Sequence, residues 1–251
     1  MVDRSRRIPV FDLVRGSALI CMIIYHGIYD WALFSHRLSF VYQPWVIVVE
    51  TGIAWTFIFL SGWMVRFSRD NVRRGLWYLF WALIVFAVTL AADIDIPITY
   101  GVLFFLGAST FIIGVLQKVR PLPSRLFWSV ISFLLFLLLY GVPQHRLGIG
   151  AVSLPLSSFS SIVYGHGLAF LGFPGASFQS GDYFPLIPFF FLYLAGAIAS
   201  HSVPETIYSK KPFCWSLPVV NWMGRHSLLV YLIHQPILLG IISIIFQLNT
   251  P

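Results

Sequence analysis

The sequence predicts an all-α polytopic membrane protein of about seven spanning helices, with the N-terminus cytoplasmic and the C-terminus outside. Three observations carry that prediction. Apolar residues make up 58% of the 251 and charged ones only 10%, whereas a water-facing shell usually takes about a quarter charged residues. The mean hydropathy is +0.84, and the apolar residues gather in runs near the roughly 20 residues that a spanning helix needs. The third observation is a charge asymmetry between alternate connections.

The runs lie at about 8–33, 43–65, 75–92, 98–117, 126–142, 184–200 and 219–247. The first follows Arg4, Arg6 and Arg7 as a signal peptide would. It nevertheless contains Asp12 and Arg15 and has no small-residue cleavage site, so it reads as a retained span. Polar or charged turns separate the runs, no internal repeat is visible, and 1–251 reads as one transmembrane domain. The long connection 143–183 is rich in Gly, Ser and Pro. Its apolar patch at 162–173 is too short to span, and it reads as an ordered outer loop with a re-entrant or interfacial helix.

Orientation follows from the basic residues. With the N-terminus inside, the cytoplasmic segments hold Arg4, Arg6, Arg7, Arg66, Arg69, Arg73, Arg74, Lys118, Arg120, Arg125, Lys210, Lys211 and Arg225. Only Arg37 and Arg146 fall outside, together with Asp93, Asp95 and Asp182. An eighth span at 162–173 would move Lys210 and Lys211 outside and break the pattern. The net charge of +7 is explained by topology; there is no nucleic-acid motif, and nucleic acid is not an expected partner. The two cysteines, Cys21 and Cys214, exclude a disulfide framework.

Ionisable groups inside spans cost about 2.5–3.5 kcal/mol at the helix centre on insertion scales, so each is a candidate site residue. The first span holds Asp12, Arg15, His26 and Asp30, with Leu19 and Met22 between them. The steps of three and four put all six on one helix face, which must turn toward other helices or water. His26 lies about 27 Å from Ile8 along the axis, in the outer third. Asp12 and Arg15 are one turn apart, placed either to ease insertion as an ion pair or to serve a site. His26 and Asp30 are i,i+4 neighbours, a spacing at which a carboxylate holds an imidazole in one tautomer.

His234 falls near the middle of the last span, beside Pro236, which should kink the helix. Its two readings are a polar group satisfying the broken backbone and a site residue sharing a face with Ser227 and Tyr231. Glu50 suits an interhelical hydrogen bond, and Ser61-Gly62 a close helix contact. No metal-ligand spacing, phosphate loop or dinucleotide fingerprint occurs.

Three blocks carry a resemblance. They are Phe-Asp-Leu-Val-Arg-Gly-Ser-Ala-Leu-Ile-Cys-Met-Ile-Ile-Tyr-His (11–26) continuing to Asp30, Ser-Gly-Asp-Tyr-Phe-Pro-Leu-Ile-Pro (180–188), and Gly-Arg-His-Ser-Leu-Leu-Val-Tyr-Leu-Ile-His-Gln-Pro (224–236). Phe-Leu-Ser-Gly (59–62) is a weaker fourth. The chain resembles the heparan-α-glucosaminide N-acetyltransferase catalytic-domain family of transmembrane acyltransferases, and in particular its small bacterial members. The resemblance implies acetyl transfer from cytoplasmic acetyl-CoA, as co-substrate, to a sugar or glycolipid acceptor across a bacterial plasma membrane. It also implies a catalytic histidine near the outer end of the first span. His26 matches the Tyr-His-x-x-x-Asp pattern, and His36, just beyond the span, is the alternative. Asp182, Tyr183, Tyr231 and His234 lie in the matching blocks as substrate or structural support, as Asp12 does. Where the family pattern has Gly-Ile-Leu-His, this chain has Gly-Val-Leu-Phe (101–104), so that histidine's role is absent or falls elsewhere.

Acetyl transfer needs a base or a nucleophile, and an imidazole serves as either. The CoA phosphates call for cytoplasmic cations: Arg225 and His226 at the start of the last span, with Arg15 near the same surface. A homo-oligomer is compatible with the sequence. The principal rival is a proton-coupled secondary transporter using the same intramembrane charges, against which stands the missing repeat symmetry.

Overall fold

The computed structural model describes residues 8–92, 96–156, 163–164 and 167–249. Arg4, Arg6, Arg7, Asp93, Asp95, Pro251 and part of the 162–173 patch lie outside the described residues. The protein is 73% helix. Among the described residues, six helical stretches are long and apolar enough to cross a membrane: Pro9–Phe34, Pro44–Phe67, Asn71–Ala91, Val102–Val119, Leu126–Gln144 and Ser227–Leu248. The run expected as a span at 184–200 forms the shorter apolar helix Leu186–Ser202.

The elements in order are α1 (Pro9–Phe34), α2 (Pro44–Trp63), α3 (Asn71–Ala91), α4 (Val102–Val119), α5 (Leu126–Leu139), β1 (Arg146–Ile149), β2 (Val152–Pro155), α6 (Leu186–Ser202), α7 (Pro218–Arg225) and α8 (Ser227–Asn249). Two corrections to the expected spans follow. The run 219–247 is broken at His226 (φ −104°, ψ 30°) into α7 and α8. The long connection opens with a hairpin, Arg146 opposite Pro155 and Ile149 opposite Val152, turned at Gly150 with φ +53°. Of the apolar patch, the described residues include a 3-10 turn at Ala169–Leu171. The helix α8 continues through Pro236.

The chain divides into two compact units, residues 1–57 with 204–251, and residues 58–203. In the second unit, α3 starts at an Asp70 cap whose side chain accepts the Arg73 amide hydrogen at 3.0 Å. Several of its polar groups bond to backbone. Arg66 donates to the Ser200 and Val203 carbonyls at the end of α6. Ser129 and Ser132 of α5 donate to the Ala195 and Phe191 carbonyls at 2.8 and 2.7 Å. Fully buried Tyr193 meets Thr110 at 2.7 Å and Arg74 at 3.4 Å. The Ser61-Gly62 contact is as expected: a β-carbon on Gly62 would lie 1.9 Å from the Tyr193 carbonyl oxygen.

In the first unit α1 packs against α7 and α8. The α1–α7 contact is close enough that only glycine fits on either side. A β-carbon on Gly16 would lie 1.9 Å from the Val220 oxygen, and one on Gly224 would lie 1.9 Å from the Asp12 oxygen. Asn221 locks the pair, donating to the Pro9 carbonyl at 2.7 Å while accepting the Leu217 amide hydrogen at 2.7 Å.

Candidate functional site

The close α1–α7 contact decides what Asp12 meets. Gly224 against the Asp12 backbone brings Arg225 within reach, and Arg225 Nε lies 3.5 Å from Asp12 Oδ2. Arg15 Nη1, one turn along α1, lies 3.6 Å from Oδ1. Two guanidinium groups therefore flank one buried carboxylate, leaving a single net positive charge. The Arg225 side chain is 46% exposed. His226, at the helix break, is also exposed; its Nδ1 lies 2.9 Å from the Trp222 carbonyl oxygen and its ring packs on the Trp222 indole. The structure thus brings together Asp12, Arg15 and Arg225 and sets His226 beside them in sequence.

Fourteen residues further along α1, about 21 Å at 1.5 Å per residue, a second polar layer joins α1 to α8. The His26 and His234 rings are 5.1 Å apart, tilted by 50°. His234 is buried, and its Nδ1 stands 2.5 Å from the Tyr231 carbonyl oxygen. A carbonyl only accepts, so Nδ1 carries the hydrogen. The carbonyl that Pro236 deprives of its usual i+4 donor belongs to Leu232, not Tyr231. Satisfying the Pro236 gap is therefore not what His234 does here. Its Nε2 is buried without a hydrogen-bond partner among the described residues.

Asp30 differs from its expected place. Although it follows His26 by one turn, its carboxylate is held across the helix interface by Gln235, whose Nε2 donates to Oδ1 and Oδ2 at 3.1 and 3.0 Å. Asp30 is 2% exposed. The Asp30–Gln235 pair ties α1 to α8 at the level of the two histidines, so Asp30 acts on the register of both helices. Gln235, which the sequence marks only by its place beside His234 in the 224–236 block, joins the candidate site through these bonds. Glu50 has the interhelical partner expected of it, the Tyr25 hydroxyl, on the residue next to His26.

His36 sits past the end of α1, exposed, with φ +55°. The His36 and Arg37 amides donate back to the Leu33 and Ala32 carbonyls at 3.2 and 2.8 Å. That is a Schellman ending with histidine in the left-handed position that glycine usually takes. His36 closes the helix ten residues beyond His26 and does not join the histidine layer.

In the second unit, Asp182 and Tyr183 both bond to backbone. Asp182 Oδ2 accepts the Val102 amide hydrogen at 2.8 Å at the start of α4. Tyr183 donates its hydroxyl hydrogen to the Ala169 carbonyl at 2.6 Å. Burial raises the Tyr183 phenol above the ordinary tyrosine pKa, with Tyr164 and Tyr100 adding to the effect, so it stays a donor. Phe104, where the family pattern has histidine, packs on Tyr100 with ring centroids 5.0 Å apart. Among the described residues, no three His, Cys, Asp or Glu side chains are grouped to hold a metal ion.

The sequence profile described as "Heparan-alpha-glucosaminide N-acetyltransferase, catalytic" matches residues 7–236. No curated protein and no solved structure matches the chain.

Proposed function

Since the chain belongs to the heparan-α-glucosaminide N-acetyltransferase catalytic family, a family of membrane acetyltransferases, we propose that it carries an acetyl group from cytoplasmic acetyl-CoA to a sugar or glycolipid acceptor on the outer side of a bacterial plasma membrane. The observation that carries the proposal is the polar face of α1. It begins at a cluster with one excess positive charge, Asp12, Arg15 and Arg225, and ends about 21 Å away at paired imidazoles. Arg225 and Arg15, with His226, hold the CoA phosphates by charge-assisted bonds. The pantetheine arm follows the stripe, and His26 is the base or nucleophile at the acetyl group. Asp30 supports His26 by fixing α1 against α8 through Gln235.

Mass spectrometry of the cell envelope with and without the protein tests the activity. The expected result is one acetylated carrier that loses its acetyl group in the deletion strain. An unchanged envelope, together with no thiol release from acetyl-CoA by purified protein, sinks the proposal.

The proposed orientation has the N-terminus inside, seven crossings including α6, and the C-terminus outside. Exposed Cys214 is a natural reporter of the inner side, and Ser177→Cys reports the outer loop. An impermeant maleimide should label the introduced thiol in intact cells and Cys214 only in broken ones; the reverse pattern inverts the topology.

A further inference from the structure

We propose that His234 is a second catalytic histidine, the base that takes the acceptor's proton, while His26 carries the acetyl group between donor and acceptor. The inference rests on the acetyltransferase reading and divides between two side chains the roles that reading leaves to one.

The geometry of His234 is that of a preset base. Its Nδ1–H is tied to the Tyr231 carbonyl at 2.5 Å, which in the neutral ring leaves the lone pair on Nε2. That nitrogen is buried and has no hydrogen-bond partner among the described residues. Buried polar atoms are nearly always paired in native proteins; Asn71 Oδ1, Arg74 Nε, Ser109 Oγ and Gln235 Oε1 are open as well, and His234 Nε2 is set apart from them by the imidazole of His26 beside its ring. An Nε2 lone pair selects a donor, an N–H or an O–H, which is the group a sugar amine or hydroxyl presents. The neighbouring ring is His26, 5.1 Å away, which places the two imidazoles within reach of one acceptor. The Asp30–Gln235 tie, one residue along from His234, holds both rings at the same level.

The chemistry balances in two steps. A lone pair on a His26 ring nitrogen attacks the thioester carbonyl carbon; the C–S bond breaks and CoA leaves as the thiolate, with the acetyl group on His26. The acceptor nitrogen or oxygen then attacks the acetyl carbon. The bond to His26 breaks, its electron pair returns to the ring, and the acceptor's proton passes to His234 Nε2. His234 then gives that proton to the thiolate or to water, and both histidines are neutral again.

The test uses the full-length protein in nanodiscs. Exchange of labelled CoA into acetyl-CoA reads the donor step alone. The acceptor step is read with D-glucosamine as probe and with water, as steady-state thiol release. His234→Asn keeps an amide donor for the Tyr231 carbonyl but removes the base. It should exchange within about threefold of wild type and lose acceptor-step turnover by about 10²–10⁴-fold. In His234→Ala, added imidazole should restore part of that turnover. His26→Ala should lose both steps. An Asn variant with full acceptor-step turnover, or one that loses exchange along with it, overturns the division of roles and leaves the acetyltransferase reading standing. Wild-type protein that shows neither exchange nor thiol release overturns the acetyltransferase reading itself.

Discussion

The two units differ in what stands beside their polar groups. In residues 58–203, Arg66, Ser129 and Ser132 all end on helix carbonyls, and the Tyr193 hydroxyl is shared by Thr110 and Arg74. In the first unit, Arg225 faces outward past Asp12, and His234 fixes one nitrogen while leaving the other open. A polar side chain consumed by backbone stabilises helices; one held at a single atom keeps another available, and a second ionisable group beside it suits that atom to a ligand. Intramembrane charge alone does not separate the two cases. Nor does an open atom, since Asn71 Oδ1, Arg74 Nε and Ser109 Oγ in residues 58–203 are also buried without a hydrogen-bond partner among the described residues; what sets His234 apart is the second imidazole beside it.

The largest effect should come from His26→Ala, with acetyl transfer falling by about 10²–10⁴-fold while acetyl-CoA binding stays close to wild type. Near-normal turnover in that variant would break the comparison at its centre. Next is Arg225→Ala. A charge-assisted contact to phosphate contributes about 1.5–3 kcal/mol, so acetyl-CoA affinity should drop by roughly 10–150-fold, and by less with dephospho-CoA if this arginine meets the 3′-phosphate. Isothermal titration in detergent measures it, and equal affinities would assign Arg225 to topology alone.

From the other unit, Arg66→Met should cost about 1–3 kcal/mol of stability, because the α6 carbonyls lose their donor, with CoA affinity unchanged. Weakened CoA binding in a fully stable Arg66→Met protein would show that committed arginines also serve the ligand. The smallest effect belongs to His36→Gly. Glycine enters the left-handed region without steric cost, so the melting temperature should hold or rise slightly and turnover should persist. Lost turnover there would return His36 to the reaction.

The α1 stripe was legible because six residues at steps of three and four need only the helix period to be placed on one face. Five of the seven expected apolar runs match helices long enough to cross a membrane to within four residues at each end, for the same kind of local reason. What one helix could not disclose was who faces that stripe. The i,i+4 spacing puts Asp30 beside His26, yet its partner Gln235 comes from a helix about two hundred positions later. The α7–α8 break at His226 was hidden because the apolar pattern runs across it without interruption. The hairpin at 146–155 was hidden by brevity, its four-residue strands carrying too little alternation to stand out from a Gly-, Ser- and Pro-rich loop. The role of His36 was legible only in its backbone, since nothing in residue type marks a histidine standing in for a C-terminal glycine.

The glycines of α1 and α7 have a consequence for how much change the chain tolerates. Gly16 and Gly224 each lie where a β-carbon would overlap a carbonyl oxygen, whereas Gly52 and Gly240 have open space in that direction. In a pooled library selected for folded protein, every residue other than glycine at 16 or 224 forces the helices apart and drags Arg225 from Asp12. Alanine at 52 or 240 meets nothing and gains helix propensity. The helices around the cation cluster are therefore confined to a narrow set of sequences at two points 208 positions apart, and any drift at one of them cannot be absorbed by a substitution at the other.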